Sequence, residues 1–274
     1  MPLITGKNCL NMQSEGMTDK DLMKGRFSRA AGTYGDNAVV QRSAAIRLAS
    51  CLSSLLPEMR RPGRCGKVLE IGCGTGIFSR MLLSSFDPEE FILNDINEKY
   101  ILSLEDLLVS GRAHFFPGDA ESEEFPVHPD MIVSCSVFQW FHDLPAFFSK
   151  SSSLLRDGGI LAFSTFGKGN LSELEALEGR SLRYYSLKEL EEMLEGNFEI
   201  LFSDEYLQTL LFDDAVSVLR HLKSTGVTGI RKEFWTRGRL SDFSRRYGEQ
   251  FSTEEGKLTL TYHPEIMVCR KRSH

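Results

Sequence analysis

The stretch Val68-Leu-Glu-Ile-Gly-Cys-Gly-Thr-Gly76, continued by Ile77-Phe-Ser-Arg-Met-Leu-Leu-Ser-Ser85, decides the fold. A short apolar run, Val68 to Ile71, enters a turn with glycines at 72, 74 and 76 and leaves as a helix over Ile77 to Ser85. Glycine reaches positive φ without penalty and lets a ligand approach the backbone closely. A dinucleotide fingerprint, GxGxxG, needs its third glycine one residue later than Gly76.

Outward from this turn, apolar runs and helical patterns alternate. Strands are expected at Phe91 to Asn94, Ala113 to Phe116, Met131 to Ser136 and Ile160 to Thr165. Helices are expected at Glu98 to Ser110, stopped by Gly111, and at Phe147 to Leu155, closed by Gly158-Gly159. Before the turn, residues 1–24 read as a flexible arm. A short helix follows from Gly25 to Ala31, then a longer one from Asn37 to Leu56, ended by Pro57. After it, Ser186-Leu-Lys-Glu189 is a capping box opening a helix, and Phe198 to Phe202 reads as a sixth strand. Asp213 to Lys223 and part of Glu233 to Phe251 read as helical. Leu258 to Tyr262 and Glu265 to Cys269 read as one interrupted seventh strand. The expectation is an α/β fold: a doubly wound, seven-stranded, mostly parallel sheet with N-terminal helices and a helical insertion over about 205–257. Residues 25–274 form a single domain in this reading, with a ligand-binding half at 67–165 and a second half at 166–274. Such a sheet binds ligands at the carboxyl ends of its strands.

The chain has 274 residues, a net charge of −6, and 41% hydrophobic and 26% charged residues. This excludes disordered, collagenous and disulfide-scaffold classes and argues against a general nucleic-acid binder. No apolar run approaches the ~18 residues of a membrane span, and the N-terminus lacks a signal-peptide core, so a cytoplasmic location is expected. Six cysteines are scattered without a CxxC pair, and six histidines lack HxxxH or HxH spacing. Free thiols and no metal are therefore expected.

Two acids follow strands at the predicted ligand edge. Asp95, about twenty residues past the glycines, stands where an acid accepts from ribose hydroxyls. Asp119 follows the third strand in Gly118-Asp-Ala-Glu121. The fourth strand ends in Ser134-Cys-Ser-Val-Phe-Gln-Trp140, without the Asn/Asp-Pro-Pro-aromatic motif common in enzymes that methylate nitrogen.

Glu70 with Gly72, Gly74 and Gly76 resembles the first motif of the Rossmann-like class I S-adenosylmethionine-dependent methyltransferases. The resemblance implies S-adenosylmethionine as cofactor, held by Glu70, Gly72, Cys73, Gly74, Gly76, Asp95, Ile96, Asp119, Ala120 and Ser136, with Asp119 on the adenine amino group. The flanks are more specific. Phe27-Ser-Arg-Ala-Ala-Gly-Thr-Tyr34, Gln41-Arg, Gln139-Trp140, Arg183-Tyr184, Leu219 to Gly226 and Leu260-Thr-Tyr262 resemble the malonyl-[acyl-carrier-protein] O-methyltransferases of biotin synthesis. Thr228 to Glu255 matches none of that family's motifs.

This second resemblance implies methyl transfer to the free carboxylate of a malonyl thioester on acyl carrier protein. A carboxylate with a pKa of about 4 is already ionised, so no general base is required. Arg183, Tyr34, Gln139 and Trp140 are the expected substrate-positioning residues, with Tyr34 closing over the cofactor and Arg183 holding the malonyl carboxylate. Arg231 to Arg246 carries six basic residues against two acids and is the expected docking segment for an acidic carrier protein. Two other readings fit the cofactor motif alone: methylation of another small acceptor, such as a quinone carbon, and a cofactor-binding module without catalysis.

Overall fold

The computed structural model describes residues 19–60, 65–109, 111–179, 181–227 and 235–273. Seven strands form the main sheet: β1 (Cys65–Ile71), β2 (Pro88–Asp95), β3 (Ala113–Pro117), β4 (Met131–Cys135), β5 (Ile160–Phe166), β6 (Phe198–Glu205) and β9 (Pro264–Lys271). Their order is β3-β2-β1-β4-β5-β9-β6. β1 pairs in parallel with both β2 and β4, so strand order reverses beside it and the crevice at its carboxyl end is the predicted ligand edge. β9 runs antiparallel between β5 and β6.

Successive side chains on a strand face opposite ways, and β1 feeds two cores on that rule. Val68 packs with Leu48 and Leu52 of α2 (Val39–Leu55) and with Phe78 and Leu82 of α3 (Ile77–Ser85). Leu69 and Ile71 pack on the other face with Phe148 of α5 (Leu144–Leu154) and with Leu190 and Leu194 of α7 (Leu187–Leu194). The Ser186–Glu189 capping box that opens α7 is present on both sides. A third cluster joins α6 (Ser172–Glu178), α8 (Ala215–Ser224) and α9 (Arg237–Phe251) to β8 (Leu258–Tyr262). Among the described residues, no helix is long and apolar enough to cross a membrane.

Four expectations change. Helix α1 spans Lys20–Asn37, so residues 20–24 stand in a helix rather than an arm, and the short helix at Gly25 to Ala31 is part of a longer one. Asp19 caps it by accepting from Leu22 N at 2.9 Å. The remainder of the expected arm lies outside the described residues. The helix expected over Glu98 to Ser110 is a 3-10 turn, Glu98–Ser103, followed by the single turn α4 (Glu105–Leu108). Leu258 to Tyr262 does not belong to the seventh strand. It is β8, paired antiparallel with β7 (Gln208–Phe212) in a separate two-stranded sheet. β8 alternates buried and half-buried residues, as a one-faced strand does, whereas the first six residues of β9 are all buried, as in a central strand. The insertion is therefore not purely helical. Finally, α6 was not among the expected helices: it starts after Leu171, a non-glycine residue in the left-handed conformation, with no side-chain cap.

Candidate active site

The glycines of the β1–α3 turn have separate duties. Gly72 has φ +69°, and a Cβ there would stand 2.4 Å from a Val137 methyl, so the β4 loop packs directly on it. Gly76 has φ +79°, begins α3, and faces Leu104 and Arg80. Gly74 has φ +52° and open space where a side chain would be, so a ligand can reach its backbone. Its amide donates to Asp95 Oδ2 at 2.9 Å.

Asp95 ends β2, and its other oxygen, Oδ1, accepts from Asn97 N at 2.8 Å. Each carboxylate oxygen thus takes one backbone N–H and keeps acceptor capacity for ribose hydroxyls. Burial raises its pKa to about 6 against those two N–H bonds. Asp119 Oδ1 accepts from Glu121 N at 3.1 Å, and its Oδ2 takes the Lys20 ammonium at 2.6 Å. Lys20 also pairs with Glu121, whose carboxylate accepts from His142 N and Asp143 N. Ser136 adopts φ +60°, a strained conformation for a side-chain-bearing residue, and its N–H donates to Ser164 O at 2.9 Å.

These loops border a cleft with about 1010 Å³ of empty space, open water included, enough for a nucleoside-sized ligand. Glu70, Gly72, Cys73, Gly74, Asp95, Ile96, Asp119, Ala120 and Ser136 line it, as do Tyr34 and Trp140. Gly76 does not, because it shapes the helix start. Helix α1 roofs the cleft with Lys20, Met23, Lys24 and Phe27. Apart from Tyr34, these roof residues were absent from the sequence-derived site, because nothing in α1 resembles a ligand loop. Phe27 joins Trp140 edge-to-face at 5.5 Å and Tyr34 at 6.4 Å.

A second cavity, of about 340 Å³ with open water included, shares Phe27, Tyr34, Ser136 and Trp140 with the cleft. Gln139 lines it with its amide already committed: Nε2 donates to Ser136 O at 2.7 Å and Oε1 accepts from Thr165 Oγ1 at 3.2 Å. Arg183 lines neither space, although Leu182 and Tyr184 line the second cavity. It is exposed, with its guanidinium 5.0 Å over the Tyr185 ring, so the structure does not bring it to a carboxylate in either cavity. The basic segment is also less free than its charge suggests. Arg245 pairs with Asp242 and Glu249, Arg246 with Asp242 and Glu178, and Arg239 with Glu178 of α6. Arg237 is exposed, while Arg231 and Lys232 lie outside the described residues.

The residues of the cleft fit S-adenosylmethionine. Glu70 is 1% exposed, and its Oε2 has no hydrogen-bond partner among the described residues. Burial raises its pKa to about 8. An orphaned buried carboxyl beside an open turn suits a ligand that brings cations, here an ammonium and a sulfonium.

One histidine–carboxylate group stands elsewhere. Glu205, His263 and Glu265 offer atoms within 4.8 Å of one another. Gly169 N–H donates to His263 Nδ1 at 3.0 Å, which places the ring proton on Nε2, directed at Glu205 Oε2 at 3.1 Å. Both ring nitrogens are thereby engaged, one as acceptor and one as donor, and His263 ties the link between β8 and β9 to the loop after β5 and to Glu205 of β6.

The fold and the sequence both have known relatives. A Bacillus halodurans protein, BH2331, superposes with TM-score 0.59 at 16% identity, over 82% of this chain and 100% of that one. The [4+2]-cyclase SpnF superposes with TM-score 0.53 at 15% identity, over 83% of this chain and 81% of that one, so the shared fold alone does not specify the chemistry. The methyltransferase domain family matches residues 41–201. A malonyl-[acyl-carrier protein] O-methyltransferase of Bacteroides thetaiotaomicron is 42% identical over 93% of this chain and 99% of its own length. One of Bacteroides fragilis is 43% identical over 93% of this chain, which spans about half (51%) of that longer protein. The chain belongs to the malonyl-[acyl-carrier protein] O-methyltransferase family.

Proposed function

We propose that this protein moves a methyl group from S-adenosylmethionine to the free carboxylate of a malonyl thioester carried by acyl carrier protein. The carrying observation is the junction of the two spaces. The cleft expected to hold the cofactor shares Phe27, Tyr34, Ser136 and Trp140 with a smaller, aromatic-walled space beside it.

S-adenosylmethionine, when bound, supplies an electrophilic methyl group on a positively charged sulfur. The acceptor carboxylate forms the new O–C bond with its own electron pair, the S–C bond breaks, and that pair stays on sulfur. No proton moves, so the transfer requires no general base. The task of the protein is alignment and exclusion of water, worth several kcal/mol in comparable intramolecular reactions. Phe27, Tyr34 and Trp140 supply the water-excluding wall. Their faces also favour a sulfonium by roughly 0.5–2 kcal/mol each where one lies over a ring.

The carrier protein is assigned to the amino-terminal part of the basic segment around Arg237, because the later arginines are engaged within the chain. Free thiols throughout the described residues suit a reducing, cytoplasmic setting. The reading is tested by mass spectrometry of malonyl-acyl carrier protein after incubation with S-adenosylmethionine, alongside malonyl-coenzyme A and free diacids as competing acceptors.

A further inference from the structure

In the malonyl reading the second cavity holds an anion, yet among the described residues that line it none is a lysine or an arginine. The polar groups they offer are neutral. Gln41 stands in the first turn of α2, is 7% exposed, and lines this cavity. Its backbone carbonyl faces the Cys135 thiol at 3.9 Å, but its side-chain amide has no hydrogen-bond partner among the described residues. Neither amide atom is sealed from solvent, so the amide faces the cavity and is open to bond what occupies it. The contrast with Gln139 in the same wall is direct, since that amide is bonded at both ends.

Tyr184 adds a second donor. Asn170 Oδ1 accepts from His263 N at 3.3 Å, which fixes the orientation of its amide, and Nδ2 then donates to Tyr184 Oη at 2.8 Å. The phenol is the acceptor in that bond, so its own proton has no acceptor among the described residues. Burial holds Tyr184 above the usual phenol range, which keeps that proton on the oxygen.

We propose that Gln41 is the specificity-determining residue for the acceptor: its amide N–H, with the Tyr184 hydroxyl, binds the carboxylate of the malonyl head. This rests on the malonyl reading above. Neutral donors orient the anion without neutralising it, so its charge remains to be cancelled against the sulfonium during transfer.

The test uses the full chain saturated with S-adenosylhomocysteine. Two probes, malonyl-pantetheine and acetyl-pantetheine, are titrated by calorimetry; the second lacks the carboxylate. Gln41→Leu weakens malonyl binding by about tenfold or more, the worth of a hydrogen bond to a charged group. It leaves acetyl-pantetheine and S-adenosylhomocysteine within about twofold, and it preserves the unfolding temperature because no side-chain hydrogen bond within the described residues is lost. Tyr184→Phe shifts malonyl binding the same way. Gln41→Glu, nearly isosteric, sets a charge against the carboxylate and abolishes malonyl binding alone, which covers the case of a poorly folding leucine variant. Unchanged malonyl binding in these variants overturns the proposal. Equal weakening of both probes and of S-adenosylhomocysteine also overturns it, because Gln41 would then be structural. A wild-type protein that binds malonyl-pantetheine but transfers no methyl group removes the functional reading and leaves the Gln41 comparison decisive. Failure of the wild type to bind it removes both.

Discussion

The Gly74 amide donates to Asp95 Oδ2 at 2.9 Å, tying the glycine turn after β1 to the acid that ends β2 before any ligand arrives. The bond spans 21 residues of sequence and closes the ligand edge of the sheet from two neighbouring strands. The Cys73 amide donating to Asn94 O at 2.9 Å holds the same two loops one residue earlier. The cofactor edge is thus preorganised, and its parts can be tested separately.

Asp95→Asn keeps the side-chain size but removes the charge and half of the acceptor capacity. Hydrogen bonds to charged groups contribute about 1.5–3 kcal/mol, so S-adenosylmethionine affinity falls by about 10- to 100-fold. Calorimetric titration checks this, with the unfolding temperature showing whether the loop itself survives.

Lys20 bonds Asp119 Oδ2, on the carboxylate expected to receive the adenine amino group. Adenine binding there competes with this ion pair made from the roof helix. Lys20→Met therefore tightens cofactor binding by about two- to tenfold, as loss of a competing closed state does. Weaker binding in this variant, measured by the same titration, means that the Lys20 contact belongs to the bound state instead.

The alternating strands and helices around Gly72-Cys-Gly-Thr-Gly76 were legible in the sequence because each strand is apolar and each turn carries glycine or an acid. The register of the seventh strand was not. Leu258 to Tyr262 and Glu265 to Cys269 are β-forming runs separated only by His263-Pro264, and pairing with β7 in one case and with β5 and β6 in the other assigns them to different sheets. In the site, loop residues were readable because their chemistry is local. The roof was not, because Lys20, Met23 and Phe27 are ordinary residues on a helix whose role depends on where it docks. Arg183 stands apart from both spaces for the converse reason. Its residue type suited a carboxylate, but the chain turns it outward onto Tyr185 while its neighbours Leu182 and Tyr184 face the cavity.

Glu70 and Glu265 both have pKa values raised to about 8 by burial, from about 4.5 when exposed. Between those values the folded chain holds protons that the unfolded chain has released. Stability therefore falls as pH rises through this window, the reverse of a salt-bridged carboxylate. The unliganded protein unfolds several degrees higher at pH 5.5 than at pH 8.5, and Glu70→Gln and Glu265→Gln each flatten the profile. Thermal scans across pH decide this, and a profile that rises towards pH 8.5 would contradict it.

Charge reversal along α9 separates free from engaged arginines. Arg237→Glu slows turnover of a carrier-protein substrate at low salt by a few-fold, and the difference shrinks as salt screens it. Arg245→Glu has a smaller effect on turnover, because Arg245 already faces Asp242 and Glu249. Steady-state rates at two ionic strengths, with malonyl-pantetheine as a carrier-free control, show whether the effect follows the carrier.

The central claim is methyl transfer to a carboxylate without a base. Intact-mass spectrometry of malonyl-acyl carrier protein, incubated with this protein and S-adenosylmethionine, measures it directly. The account predicts a gain of one methyl group on the malonyl form and none on acetyl-acyl carrier protein, with one S-adenosylhomocysteine formed per transfer. No mass gain on the malonyl form, while the cofactor binds normally, would contradict it.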